Sequence, residues 1–169
     1  EHSSELIDYS DPDMVRVVTA SGQEFFARKV VLAVPVNILR EGYITFEPEL
    51  PSRKTNALDK VEVAPGFKVW LEFRERFYPD LSIPGSIFDY AAEDRIYFDA
   101  LFGKETDHHV LGLFEVGYTA EEKVGQSDEA IVSFLLAELD RMFGSNVASN
   151  NFVKSHVQNW SKQPYTRGT

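Results

Sequence analysis

Between Gly66 and Arg74 the sequence alternates, with Phe67, Val69, Leu71 and Phe73 on one side and Lys68, Trp70, Glu72 and Arg74 on the other. A period of two marks a half-buried β-strand. It places the Lys68 ammonium on the polar face of a strand whose other face is core; by pattern alone this is an exposed strand lysine. Trp160 reads by itself as a core or domain-interface tryptophan, since an indole buries so much area. His108 and His109 are adjacent, so in a strand they point to opposite sides, and no carboxylate–histidine spacing accompanies them. They are read as turn or strand-end residues, and no metal site is expected. Asp89, Asp94 and Asp99 flank expected strands and either line an acidic pocket for an amine or act as solubilising surface carboxylates. The absence of cysteine excludes a disulfide scaffold, a thiolate metal site and a cysteine nucleophile.

Those residues need a scaffold, and 169 residues suffice for one domain or one domain with part of another. The 13 Phe and 7 Tyr supply a core and argue against disorder. A formal net charge of −10 argues against nucleic acid as a partner and is compatible with a cationic ligand, as it is with simple solubility. No apolar run approaches the roughly 20 residues of a membrane helix. The polar, acidic opening from Glu1 to Glu5 does not read as a signal peptide, and the compartment stays open.

Met14–Thr19 and Glu24–Ala27 read as strands joined by a turn at Ala20–Gln23, with Gly22 free to take positive φ. Val30–Val34, apolar on both faces, reads as a strand buried between layers and ended by Pro35. Ser52 is the expected N-cap of a short helix to about Lys60. Ile96–Phe102 and Val110–Gly117 are expected strands, and a last one runs from Phe152 to Asn159. The clearest helix is Asp128–Phe143, capped by Ser127 and ended at Gly144, with a stripe of Ile131, Leu135, Leu139 and Met142 widened by Phe134 and Phe143. The order β-β-β-α-β-β-β-α-β predicts an α+β architecture, a mixed sheet with helices packed on it.

Three stretches carry a family signal. The first is Lys29–Pro35 (KVVLAVP), followed by Ile44-Thr45-Phe46-Glu47-Pro48-Glu49-Leu50-Pro51 and Lys54. The second is Gly66–Phe73, followed by Phe77-Tyr78-Pro79. The third is Asn159–Thr169, with Trp160, Pro164, Tyr165 and Gly168. In this order and spacing they resemble the flavin-containing amine oxidases, the group of monoamine oxidases, polyamine oxidases and flavin-dependent histone lysine demethylases; Tyr78 stands where the family usually has Trp. The resemblance implies the family's substrate domain plus a few strands of its FAD domain. Residues 1–38 would belong to the FAD-binding domain, 39–158 to the substrate-binding domain, and 159–169 to the return to the FAD-binding domain.

By the same resemblance Lys68 matches the lysine that holds a water against the reactive nitrogen of the flavin, the catalytic candidate. Trp160 matches the tryptophan that packs on the flavin ring, and Tyr165, Gly168 and Thr169 complete a cofactor-binding set. Thr169 stands at the position of the cysteine that bonds the flavin in monoamine oxidases; a threonine forms no thioether, so FAD is expected to be non-covalent. Asn159-Trp160-Ser161 is formally a glycosylation sequon, but it lies within this motif and is expected to go unused. The family's G-x-G-x-x-G turn, which cradles the FAD pyrophosphate at a helix N-terminus, is missing from these residues.

The expected function is therefore part of an FAD-dependent amine oxidase. Its small-molecule amine substrate would be oxidised to an imine, with oxygen as acceptor and hydrogen peroxide as product. A carotenoid or porphyrin oxidoreductase of the same flavoprotein superfamily is a variant of this reading. These residues alone are expected to be inactive and to bind no FAD measurably. The alternative is a free-standing, non-catalytic α+β module that takes an apolar ligand on its sheet.

Overall fold

The strand that carries Lys68 is the fourth of five in an antiparallel sheet, with a paired strand on each side. The computed structural model describes residues 4–79, 86–89 and 95–168. They form two compact units, Glu1–Val63 with Gln163–Gly168, and Ala64–Lys162.

The first unit contains β1 (Ser4–Asp8), β2 (Val15–Thr19), β3 (Glu24–Ala27), α1 (Val36–Arg40), β4 (Thr45–Glu47) and α2 (Ser52–Leu58). Its sheet order is β3-β2-β1-β4, mixed because β1 and β4 run parallel while the other pairs are antiparallel. The β2–β3 hairpin forms where expected, with Gly22 at φ 77° and Thr19 Oγ1 bonded to the backbone of Gln23. Ile7, Ile38 and Ile44 are the buried centre of this unit, with Val15, Val17, Val34 and Phe46 packed around them.

Two expectations fail in this unit. Residues 30–34 are not a buried strand: no described strand pairs with them, and Val30, Val31 and Leu32 are exposed, Val31 by 91%. A run apolar on both faces needs a ladder neighbour and a covering layer on each side. Among the described residues it has neither, and only Val34 reaches the cluster around Ile38. Ser52 is not the N-cap of α2. Pro51, at φ −56° and ψ 142°, holds that position without a side-chain cap, and Ser52 is already helical. The fixed φ of proline supplies the extended backbone an N-cap needs, and α1 begins in the same way after Pro35.

The second unit runs β5 (Gly66–Phe73), β6 (Ser86–Asp89), β7 (Arg95–Asp99), β8 (His109–Val116), α3 (Tyr118–Glu121), α4 (Asp128–Phe143), α5 (Val147–Asn151) and β9 (Phe152–Asn159), followed by a 3-10 turn at Trp160–Lys162. The sheet order is β6-β7-β8-β5-β9, antiparallel throughout. The α+β class holds, with the strands shared between two sheets. Phe67, Val69, Leu71 and Phe73 are buried with Tyr97, Leu111 and Leu113 against Ile131, Leu135 and Leu139 of α4. Ser127 Oγ accepts from Ala130 N at 3.2 Å, the expected cap, and Gly144 ends α4 at φ 89°. The strand expected over 96–102 stops at Asp99, whose carboxylate accepts from Leu101 N and starts a turn. Phe134 lies at the margin of the helix stripe, 44% exposed.

Candidate functional site

β5 lies between β8 and β9, and α4 covers one face of these strands while the other is open within this unit. Lys68, Trp70 and Glu72 rise from the face opposite the core, at roughly 6.6 Å intervals along the strand. Register places Phe114 of β8 on one side of Lys68 and Gln158 of β9 on the other. The Lys68 Nζ lies over the Phe114 ring, 4.9 Å from its centroid. Trp70 faces Gly112 and His156, with the indole and imidazole 5.6 Å apart and tilted by 34°. Gly112 has no side chain because the Phe98 ring fills that space; a methyl group there would overlap it. The face thus carries an ammonium at one end and an aromatic middle.

Glu72 closes the other end, accepting from His108 Nδ1 at 2.8 Å and pairing with Lys154 at 3.1 Å. The His108 hydrogen bond, then that of Lys154, holds its carboxyl below the usual glutamate range.

Trp160 opens the 3-10 turn two residues after Gln158, so it follows the end of β9 beside Lys68. Ser161 Oγ accepts from Gly66 N at 3.3 Å and ties this turn to the start of β5. Within one unit the structure therefore brings Lys68 and Trp160 to the same end of the β5–β9 pair. Tyr165 and Gly168 belong to the other unit. There Tyr165 is 60% exposed and lines a cavity of ≈ 400 Å³ with Val34, Pro35, Ile38, Ile44 and Arg167. Asn37 Nδ2 donates to Arg167 O at 2.6 Å, and the Arg167 guanidinium stacks over Tyr43 at 4.5 Å, which fastens the segment down. Gly168 has φ 148°, a conformation side chains disfavour. Thr169 lies outside the described residues.

No group of three or more histidines or carboxylates fit to hold a metal ion occurs among the described residues. Asp99 pairs with Arg76 at 3.6 Å besides its turn bond. Asp94 and the Asp89 side chain lie outside the described residues. The Asn159 amide is buried, donates to Val124 O and accepts from Ser161 N. No helix among the described residues is long and apolar enough to cross a membrane.

Sequence reasoning missed a buried ionic cluster on the covered side of the sheet. Arg95 of β7 donates to Glu115 of β8 (Nε to Oε2, 3.1 Å) and to Glu138 of α4. Lys123 Nζ donates to Glu115 Oε1 at 2.9 Å, and Tyr97 OH to Glu138 Oε1 at 2.6 Å. All five side chains are buried. Burial lowers the Arg95 guanidinium's affinity for its proton, but the Glu115 and Glu138 charges outweigh this and leave its pKa raised. Burial also pushes the Tyr97 phenol far up. The signal was present: Glu115 shares the parity of Leu111 and Leu113, and Glu138 lies seven residues after Ile131 on the helix stripe.

The fold, two sheets with helices packed on them, is shared with solved flavin amine oxidases. The model of the family described as flavin containing amine oxidoreductase matches residues 4–169, and the chain belongs to this family. It is 33% identical over 156 residues to "Probable polyamine oxidase 4" of Arabidopsis thaliana, covering 91% of this chain and 30% of that protein. To "Polyamine oxidase 2" of the same plant it is 35% identical over 155 residues, covering 92% and 31%. The solved structure of "Cyclohexylamine Oxidase from Brevibacterium oxydans IH-35A" superposes with a TM-score of 0.78 at 19% identity, over 98% of this chain and 35% of that one. The chain thus spans about a third of the length of each of these three proteins.

Proposed function

We propose that these residues are part of an FAD-dependent amine oxidase that converts an amine C–N bond to an imine, with oxygen as acceptor and hydrogen peroxide as product. The observation that carries this reading is Lys68, an ammonium on the open face of a sheet whose other face is core, with Trp160 at the same strand end. Membership of the family supports the class of reaction. The relatives named as polyamine oxidases point to an amine with more than one nitrogen.

By family resemblance Trp160 would offer the ring end of FAD a flat packing surface, and Tyr165, Gly168 and Thr169 are the further cofactor-binding residues of this proposal. Without a thiol at Thr169 the cofactor is held non-covalently. No G-x-G-x-x-G turn is present among them to hold the pyrophosphate, so on their own we expect them to be inactive. Bound FAD would carry two electrons from amine to oxygen. Lys68 would donate a hydrogen bond to a water at the ring and present a fixed positive charge where negative charge develops. The aromatic face beyond it, Trp70, Phe98 and Phe114, would exclude water and hold the neutral amine near the ring. We assign residues 1–38 and 159–169 to the FAD-binding domain and 39–158 to the substrate-binding domain.

Oxygen uptake by the full-length protein tests this reading. With a polyamine substrate, each oxygen consumed should yield one hydrogen peroxide and one aldehyde, the latter from hydrolysis of the imine. Absence of amine-dependent uptake, or uptake without peroxide, would exclude it.

A further inference from the structure

We propose that Phe114 is the positioning residue for Lys68, its ring holding the ammonium at the place on the sheet where the reaction uses it. This rests on the role given to Lys68 above. Phe114 and Lys68 are direct cross-strand partners, and the Lys68 Nζ sits 4.9 Å from the ring centroid. The negative face of an aromatic ring attracts a cation at this distance. A lysine side chain has four rotatable bonds and on an open sheet face samples many positions; a ring beneath its head selects among them.

The ring is itself held. Glu115, the next residue, points to the covered side, where Arg95 Nε and Lys123 Nζ both bond it. The same stretch of β8 is therefore pinned from behind by two buried ionic hydrogen bonds, and Phe114 cannot drift along the sheet without breaking them.

Among the described residues of β5, β8 and β9, no carboxylate pairs with the ammonium. On β8 the neighbours of Phe114 on this face are Gly112 and Val116. On β9 Gln158 is opposite Lys68, with His156 one pair further on and Lys154 two pairs further on. On β5 itself the nearest charged side chain of this face is Glu72, four residues away and occupied by His108 and Lys154. The ring is the partner the sheet supplies.

The test is a rapid-mixing measurement in the full-length enzyme of two rate constants, flavin reduction by amine without oxygen and reoxidation of reduced enzyme by oxygen. Phe114→Leu keeps an apolar side chain of similar bulk but removes the quadrupole. It should slow reoxidation by about 2- to 5-fold, the size of a part-exposed cation–π contact. Phe114→Tyr, which keeps the ring, should recover most of that loss. In a Lys68→Met background Phe114→Leu should change reoxidation no further, because the two act as one unit. The same loss in both backgrounds, or an unchanged rate in Phe114→Leu, overturns the proposal. Should Lys68→Met itself leave reoxidation intact, the role of Lys68 falls first, and the proposal with it.

Discussion

Lys68→Met in the full-length enzyme should slow reoxidation of the reduced flavin by at least ~10²-fold, while the affinity for amine changes far less. The size follows from what one preorganised donor or charge contributes at a site that excludes water, roughly 10²–10³ in rate. Methionine keeps the length and apolar stem of lysine, so the half-buried part of the side chain, packed beside Phe114 and Gln158, is largely retained. Nothing in the core should respond, since Phe67 and Val69 on either side of Lys68 point the other way and are fully buried. Stopped-flow mixing of reduced enzyme with oxygen measures the first quantity, and the amine dependence of anaerobic reduction the second. Unchanged oxygen kinetics would remove Lys68 from the mechanism.

The largest stability effect is expected on the other side of the sheet. Glu138→Ala removes the carboxylate that accepts from both Arg95 and Tyr97, and leaves a guanidinium and a phenol buried without it. Arg95 keeps its bonds to Glu115, but Arg95 and Lys123 are then two buried cations sharing one carboxylate. Deleting one partner of a buried ion pair costs ~3–5 kcal/mol, and the remaining Glu115 bonds put the loss at the lower end of that range. Glu138→Gln restores a hydrogen-bond acceptor and should recover part of the loss. Denaturant unfolding of the full-length protein gives both numbers. A change within ~0.5 kcal/mol for Glu138→Ala would mean that solvent reaches the cluster and that these charges do not depend on one another.

These two sites differ in how legible they were. The alternation from Phe67 to Phe73 is a local signal, and a strand that is half core obeys it whatever surrounds it. The same holds for α4, where the Ser127 cap, acidic first turn and Gly144 stop all lie within the helix's own sequence. The Glu138–Arg95 pair was not legible, because composition rules send charged residues to the surface and the partners are 43 residues apart. Only the register of β7 and β8 against α4 brings them together. Residues 30–34 failed for a related reason: a sequence declares that it is apolar, but the strands that would bury it must be supplied from elsewhere. At the candidate site, the sequence pattern placed Lys68 on its face without revealing what shares that face. Phe114 and Gln158 became its neighbours only through pairing with β8 and β9, strands distant in sequence.

In the proposed function an amine passes electrons to a flavin held beside Lys68. The most direct measurement is the visible absorbance of the purified full-length protein, mixed with a polyamine in the absence of oxygen and then exposed to oxygen. The expected result is a flavin spectrum whose chromophore denaturation releases as free FAD, bleaching of the oxidised band on mixing with amine, and its return when oxygen is admitted. A protein that carries no flavin, or whose flavin band no amine bleaches, would contradict it.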